Sequence, residues 1–197
     1  ALNMFGYLFA TLLLPMFANM IRKKESVNQL VRFSAELMFV IAVIAGVNCL
    51  FYRNEIMQLL YHDSTIYWAE IFGWLMLNFI PMSSIYIFGT LLTAKGSLKV
   101  LNFIALGGML MNVGLNLFLI PKYGALGATY ATLATQILVA LLHIIAAEKE
   151  FHFKYPKQDL LKLGLFCILC LLVVLLIQYS SMHWLINFIL SLVGGVL

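Results

Sequence analysis

Amide and hydroxyl side chains set inside apolar runs are the residues of this chain best placed to do chemistry. Asn112 and Asn116 stand one helical turn apart, and Thr129, Thr132 and Gln136 repeat at three- and four-residue spacing further along. On helices, each set shares one face. In hydrocarbon such groups either hydrogen-bond to a neighbouring helix or face a hydrated cavity that a polar substrate can enter. Spacing alone leaves both readings open. A second group surrounds a proline, with Asn78, Ser83 and Ser84 flanking Pro81. Proline removes a backbone hydrogen bond and bends its helix, and interrupted helices often carry transporter binding sites. Pro15 is a further kink candidate of the same kind.

Other chemistry has little support. Cys167 and Cys170 spell CxxC, but they and Cys49 lie in apolar runs, without the polar or basic neighbours that stabilise a thiolate. They read as packing residues. His62, His143, His152 and His183 lack partners at ligand spacing and read as interfacial or loop residues, so no metal is expected. There is no HExxH, nucleophile elbow, phosphate loop or pair of acids, so neither an enzyme nor a cofactor is expected. Glu36 stands one turn from Arg32, Glu70 is near a span end, and no carboxylate occupies a span centre. Ion coupling is therefore not expected to reside in this stretch.

The elements that must position these residues follow from composition. Hydrophobic residues make up 63% of the chain and charged residues 10%, against roughly a quarter charged in soluble domains. A bilayer core of about 30 Å needs about 20 apolar residues in a helix. That template predicts helix A over about 1–21, B over 33–52, C over 68–93, D over 100–120, E over 124–147, F over 160–178 and G from 183 onward. The expected fold is all-α, a polytopic transmembrane bundle with six full spans and one truncated. Residues 1–150 are expected to hold helices A to E of the bundle, and 151–197 two additional peripheral helices, F and G. The longest outer loop would be 53–67. Both ends lie in apolar runs, which reads as part of a longer chain, and no signal peptide is visible.

Charge sets the orientation. Ten of the twelve basic residues (Arg22, Lys23, Lys24, Arg32, Lys95, Lys99, Lys149, Lys154, Lys157 and Lys162) flank the A–B, C–D and E–F connections, leaving Arg53 and Lys122 opposite. By the positive-inside rule the first set is cytoplasmic. Tyr52, Tyr61, Tyr67, Trp68, Tyr123, Tyr179 and Trp184 then fall at the outer interface. The net charge of +4 comes from these short clusters and forms no basic face, so no nucleic-acid partner is expected.

Pro121 and Gly124 make the reversal between D and E. Counting from it sets Asn116 level with Thr129 and Asn112 level with Thr132. Gly124, Gly127, Ala128, Ala131 and Thr132 give helix E a small-residue packing face. Helix F has no charged or amide side chain from Leu163 to Ile177. Helix E is therefore expected to be central and F to lie at the edge of the bundle.

The stretch NVGLNLFLIPKYGALGATYATLATQ, from Asn112 to Gln136, resembles a helix–turn–helix typical of polysaccharide flippases in the multidrug/oligosaccharidyl-lipid/polysaccharide exporter superfamily. Leu119, Ile120, Pro121, Tyr123 and Gly124 match the turn, and Gly127, Ala128, Ala131 and Thr132 the helix after it. Looser similarity covers helix A with Pro15, and helix C running into Thr93-Ala94-Lys95-Gly96. The resemblance implies the eighth helix onward of a fourteen-helix, two-lobed transporter of the bacterial inner membrane, with its amino-terminal lobe missing here. It implies alternating access that flips an undecaprenyl-pyrophosphate-linked oligosaccharide for surface polysaccharides such as O-antigen and lipopolysaccharide. A lipid II flippase or drug exporter of the same superfamily, or a membrane-embedded glycan polymerase, is the alternative. Substrate and membrane lipids are the implied partners. No basic residue lies deep in a span to meet a pyrophosphate, which leaves that contact to interface residues or to the missing lobe.

Overall fold

The computed structural model describes residues 2–61, 63–152, 157–178 and 184–195. His62, Lys154, Tyr179 and His183, placed above in loops or at interfaces, lie outside the described residues. The described residues form nine helices and no strand: α1 (Leu2–Arg22), α2 (Asn28–Phe51), α3 (Arg53–Leu60), α4 (Ile66–Leu77), α5 (Phe79–Lys95), α6 (Leu98–Tyr123), α7 (Ala125–Phe151), α8 (Lys157–Gln178) and α9 (Trp184–Gly194). Met4–Arg22, Asn28–Phe51, Ile66–Lys95, Leu98–Tyr123 and Ala125–Phe151 are long and apolar enough to cross a bilayer, and Leu161–Ile177 and Trp184–Gly194 are shorter apolar helices. In lipid every backbone polar group must be satisfied within its own segment. The result is an all-α polytopic bundle.

Three elements differ from the sequence expectation. The stretch 53–67 is not one loop, because α3 occupies Arg53–Leu60 and turns back on α4. Its apolar run is far too short for a 20-residue template to register. Helix C is two helices with a break at Asn78, one turn ahead of Pro81. Proline has no N–H to offer the Leu77 carbonyl, and at the break the Asn78 N–H bonds three residues back, to the Leu75 carbonyl at 3.2 Å. Helix D runs through Pro121 to Tyr123, and the whole reversal is made by Gly124 at φ +60°.

The chain divides into two compact units, one of residues 1–39 with 79–154, the other of 40–78 with 155–197. In the first unit α5 is the axis, with Phe79, Pro81, Ser83, Ile87, Phe88, Leu91 and Leu92 buried. α1 and α7 both pack on it, and α6 packs on α7. Gly6 admits the Tyr86 ring, which would lie 2.5 Å from a Cβ at that position. His143 is buried, not interfacial: its ring lies against Gly89 of α5, and Nδ1 is 2.8 Å from the Val139 carbonyl.

In the second unit, Asn48 of α2 and Ser191 of α9 are fully buried and the Ser191 hydroxyl donates to the Asn48 amide oxygen. The Asn48 amide donates in turn to the Ile44 carbonyl at 2.8 Å. Tyr52 meets Phe188 edge-on at 5.6 Å. Between Leu163 and Ile177, only Cys170 and Val174 of α8 are buried, whereas α7 buries seven residues along its length.

Candidate functional site

The polar groups singled out by spacing sit on the α6–α7 hairpin, whose turn has a single residue. With Gly124 as the only residue outside helical geometry, the facing helices start in contact and stay close through small side chains. A Cβ on Gly127 would run into the Leu119 carbonyl, and one on Gly108 would lie 2.6 Å from Val139. These contacts set the register: Leu119 opposes Gly127, and Gly108 opposes Val139.

That register brings Asn112 to Thr135, where the Asn112 amide donates to the hydroxyl at 3.4 Å. The Asn116 amide donates to the Asn112 oxygen at 2.9 Å, so the two asparagines form a short chain ending on α7. The pairing of Asn112 with Thr132 and of Asn116 with Thr129 expected from the sequence does not occur. Both threonines bond back to their own helix, Thr129 to the Ala125 carbonyl at 3.0 Å and Thr132 to the Ala128 carbonyl at 2.9 Å. The cause is the turn. Because Pro121 does not end α6, the pivot falls at Gly124 and partners on α7 lie further along than a Pro121–Gly124 loop would set them.

The amide oxygen of Asn116 is buried without a hydrogen-bond partner, as is that of Asn78. Buried polar atoms in this state are rare. Gln136 is half-buried next to Thr135, Ala131 is fully buried, and Ala128 and Thr132 are half-buried. Asn78 caps α4. On α5, Pro81 is buried, Ser84 is half-buried and Ser83 donates to the Ile80 carbonyl at 2.7 Å. Pro15 lies within the unbroken helix α1.

At one end of this unit, the turn after α5 is fastened to the end of α7. Lys95 pairs with Glu150 at 3.0 Å and stands 5.0 Å over the Phe151 ring, and the Ser97 hydroxyl donates to Glu150 at 3.1 Å. The C–D and E–F connections, placed on one side by their charge, are thus joined at one end. Arg32 pairs with Glu36 at 3.1 Å. Among the described residues no three of His, Cys, Asp or Glu gather as a metal site. Sequence reading missed Asn48 and Ser191, which come from helices far apart in the chain and carry no spacing signal, and also the α3–α4 hairpin.

Comparison with known proteins bears on residues well beyond the hairpin. A family model described as lipid II flippase MurJ matches residues 1–194. Two curated relatives, the lipid III flippases of Escherichia coli (strain K12) and Shigella flexneri, are each 26% identical over 132 residues, covering 66% of this chain and 31% of the relative. The chain thus matches about a third of the length of these relatives. No solved structure matches it. With the family model matched along nearly the whole chain, and helices built to cross a bilayer repeatedly, this multi-pass inner-membrane chain belongs to the lipid II flippase MurJ family.

Proposed function

We propose that the protein of which this chain is part is a transporter, not an enzyme, and flips a polyprenyl-pyrophosphate-linked glycan from the cytoplasmic to the outer leaflet. The observation that carries this reading is the family match over residues 1–194. Flipping moves a large polar headgroup across hydrocarbon, so the lining needs neutral hydrogen-bonding groups that can exchange partners. The Asn116 and Asn78 amides, each with a buried oxygen left over, are of that kind. We assign Asn78, Ser84, Asn112, Asn116 and Gln136 to the substrate path on this chemistry, with the break ahead of Pro81 and the small-residue face of α7 allowing the helices to shift.

Within the class, a lipid-linked oligosaccharide destined for surface polysaccharide is the first reading, because the curated relatives carry the name lipid III flippase. Lipid II is the second, favoured by the family description. Complementation separates them. The full-length protein, expressed in cells depleted of their own lipid II flippase and in cells lacking their lipid III flippase, is expected to restore the second strain's surface glycan. Rescue of the first strain alone reverses the order of the two readings. Failure in both, with the protein present in the membrane, overturns the proposal.

A further inference from the structure

The sequence left the pyrophosphate contact unassigned, and α3 with α4 supplies a place for it. About 20 residues of helix cross the hydrocarbon, and that count, taken from Arg32 at the cytoplasmic end of α2, arrives at Arg53. Arg53 therefore stands at the outer boundary of the hydrocarbon, the level of lipid phosphates. Its carbon stem lies against Gly73 of α4, where a Cβ would be 2.9 Å from Arg53 Cδ. Gly73 is thus at the same level, and the parts of the hairpin beyond Arg53 and before Gly73 rise into the headgroup zone.

Across that level, from the headgroup zone down to Leu75 just on the hydrocarbon side, α3 and α4 leave an open groove of about 450 Å³ lined by Met57, Tyr61, Trp68, Ile71, Phe72 and Leu75. Met57 is one turn from Arg53 on the same face of α3, so cavity and guanidinium are adjacent along the α3–α4 seam. Arg53 Nε is buried and has no hydrogen-bond partner among the described residues. Glu55, two positions on, is half-buried with its Oε2 likewise lacking a hydrogen-bond partner among the described residues, and Glu70 is half-buried on α4. Neither forms an ion pair with Arg53 among the described residues.

We infer that this hairpin is an outer-face docking site for the headgroup of a pyrophosphate-linked saccharide, with the first sugar against Tyr61, Trp68 and Phe72 and the phosphate at Arg53. The inference rests on the transport reading above and names a site within it. A pyranose presents a flat C–H face with slight positive charge, which suits the negative face of an aromatic ring, and a guanidinium suits a phosphate. The order also fits the bilayer: the polyprenyl tail lies in hydrocarbon, the pyrophosphate at the boundary, and the sugar beyond it. An acyl chain would meet only the Leu75 end of the groove from the hydrocarbon, which leaves Tyr61 and Trp68, before Gly73, to the sugar.

The test uses the full-length protein in nanodiscs with two probes, polyprenyl-pyrophosphate-linked N-acetylglucosamine and polyprenyl phosphate without sugar. Arg53→Gln is expected to weaken both about tenfold, the loss of roughly one good polar contact. Trp68→Ala is expected to weaken only the sugar-bearing probe, and Trp68→Phe to restore it, which guards against a folding defect. Equal weakening of both probes by Trp68→Ala assigns the cavity to the tail and overturns the inference. So does wild-type binding left unchanged by both variants, a result that leaves the transport reading standing. Loss of transport by the wild type itself, measured in vesicles, removes the transport reading.

Discussion

Two helical hairpins in this chain solve the same problem in opposite ways. The α6–α7 hairpin reverses at Gly124 alone, and its helices approach until only glycine fits between them, as at Gly127 against the Leu119 backbone. The α3–α4 hairpin reverses over a longer connection and packs Met57 and Arg53 against α4, leaving a cavity lined by bulky aromatic and aliphatic side chains. Small residues let backbones meet and close the space, whereas large ones hold helices apart and leave gaps between their ends. The first hairpin is a joint that holds register. The second is a cradle.

Placing the same methyl group in each hairpin tests this contrast and should give the largest effect. At Gly127 the added Cβ meets a carbonyl that cannot move without shifting α6, so Gly127→Ala is expected to cost about 1–3 kcal/mol, as overpacking does. At Gly73 it meets the stems of Arg53 and Leu50, at 2.9 and 3.0 Å. These flexible side chains can swing aside, so Gly73→Ala should change stability by less than about 1 kcal/mol, helped by the better helix propensity of alanine. Thermal unfolding in detergent measures both. Equal losses would mean that the second hairpin is as tightly set as the first.

The same contrast explains what could be read from the sequence. The long apolar runs and the Pro121–Gly124 turn are local signals, so the helices built to span and the α6–α7 hairpin were legible. The exact register was not, because it depends on whether Pro121 ends α6. Proline removes one bond from α6, the one its missing N–H would give the Leu117 carbonyl, and spacing does not report whether the helix continues past it. The α3 helix was hidden because eight residues cannot fill a window sized for a bilayer. The Asn48–Ser191 pair was hidden because it joins distant helices. Of the candidate site, the asparagines and the break near Pro81 were readable as unusual polar positions in apolar runs. Their partners were not, since a threonine can bond its own helix as readily as a neighbour.

An intermediate effect is expected at Asn112, where the joint carries the substrate-path assignment. Its bond to Thr135 is long, at 3.4 Å, and interhelical hydrogen bonds in membranes average about 0.6 kcal/mol. Asn112→Leu should therefore change thermal stability little. Transport per folded molecule should fall severalfold, because Asn116 loses its partner and the path loses an amide. Asn78→Leu should behave likewise. Rates in reconstituted vesicles, divided by the amount of correctly folded protein, read this directly. Parallel loss of folded protein and transport would assign the asparagines to packing alone.

The smallest effect is expected where the joint is fastened at its open end. Glu150 accepts from Lys95 and Ser97 at 3.0 and 3.1 Å, which ties the turn after α5 to the end of α7. The Lys95 and Glu150 side chains are each 36% exposed, and exposed ion pairs are worth about 0–1 kcal/mol because water and salt screen them. Glu150→Gln keeps an acceptor for Ser97 and removes only the charge, so it should lower the unfolding temperature slightly at low salt and not measurably at high salt. Gly124 and Gly127 still hold the closed end in that variant, so transport should persist. A loss as large as that of Gly127→Ala, unchanged by salt, would show that the fastening at the open end carries the register and that the one-residue turn does not.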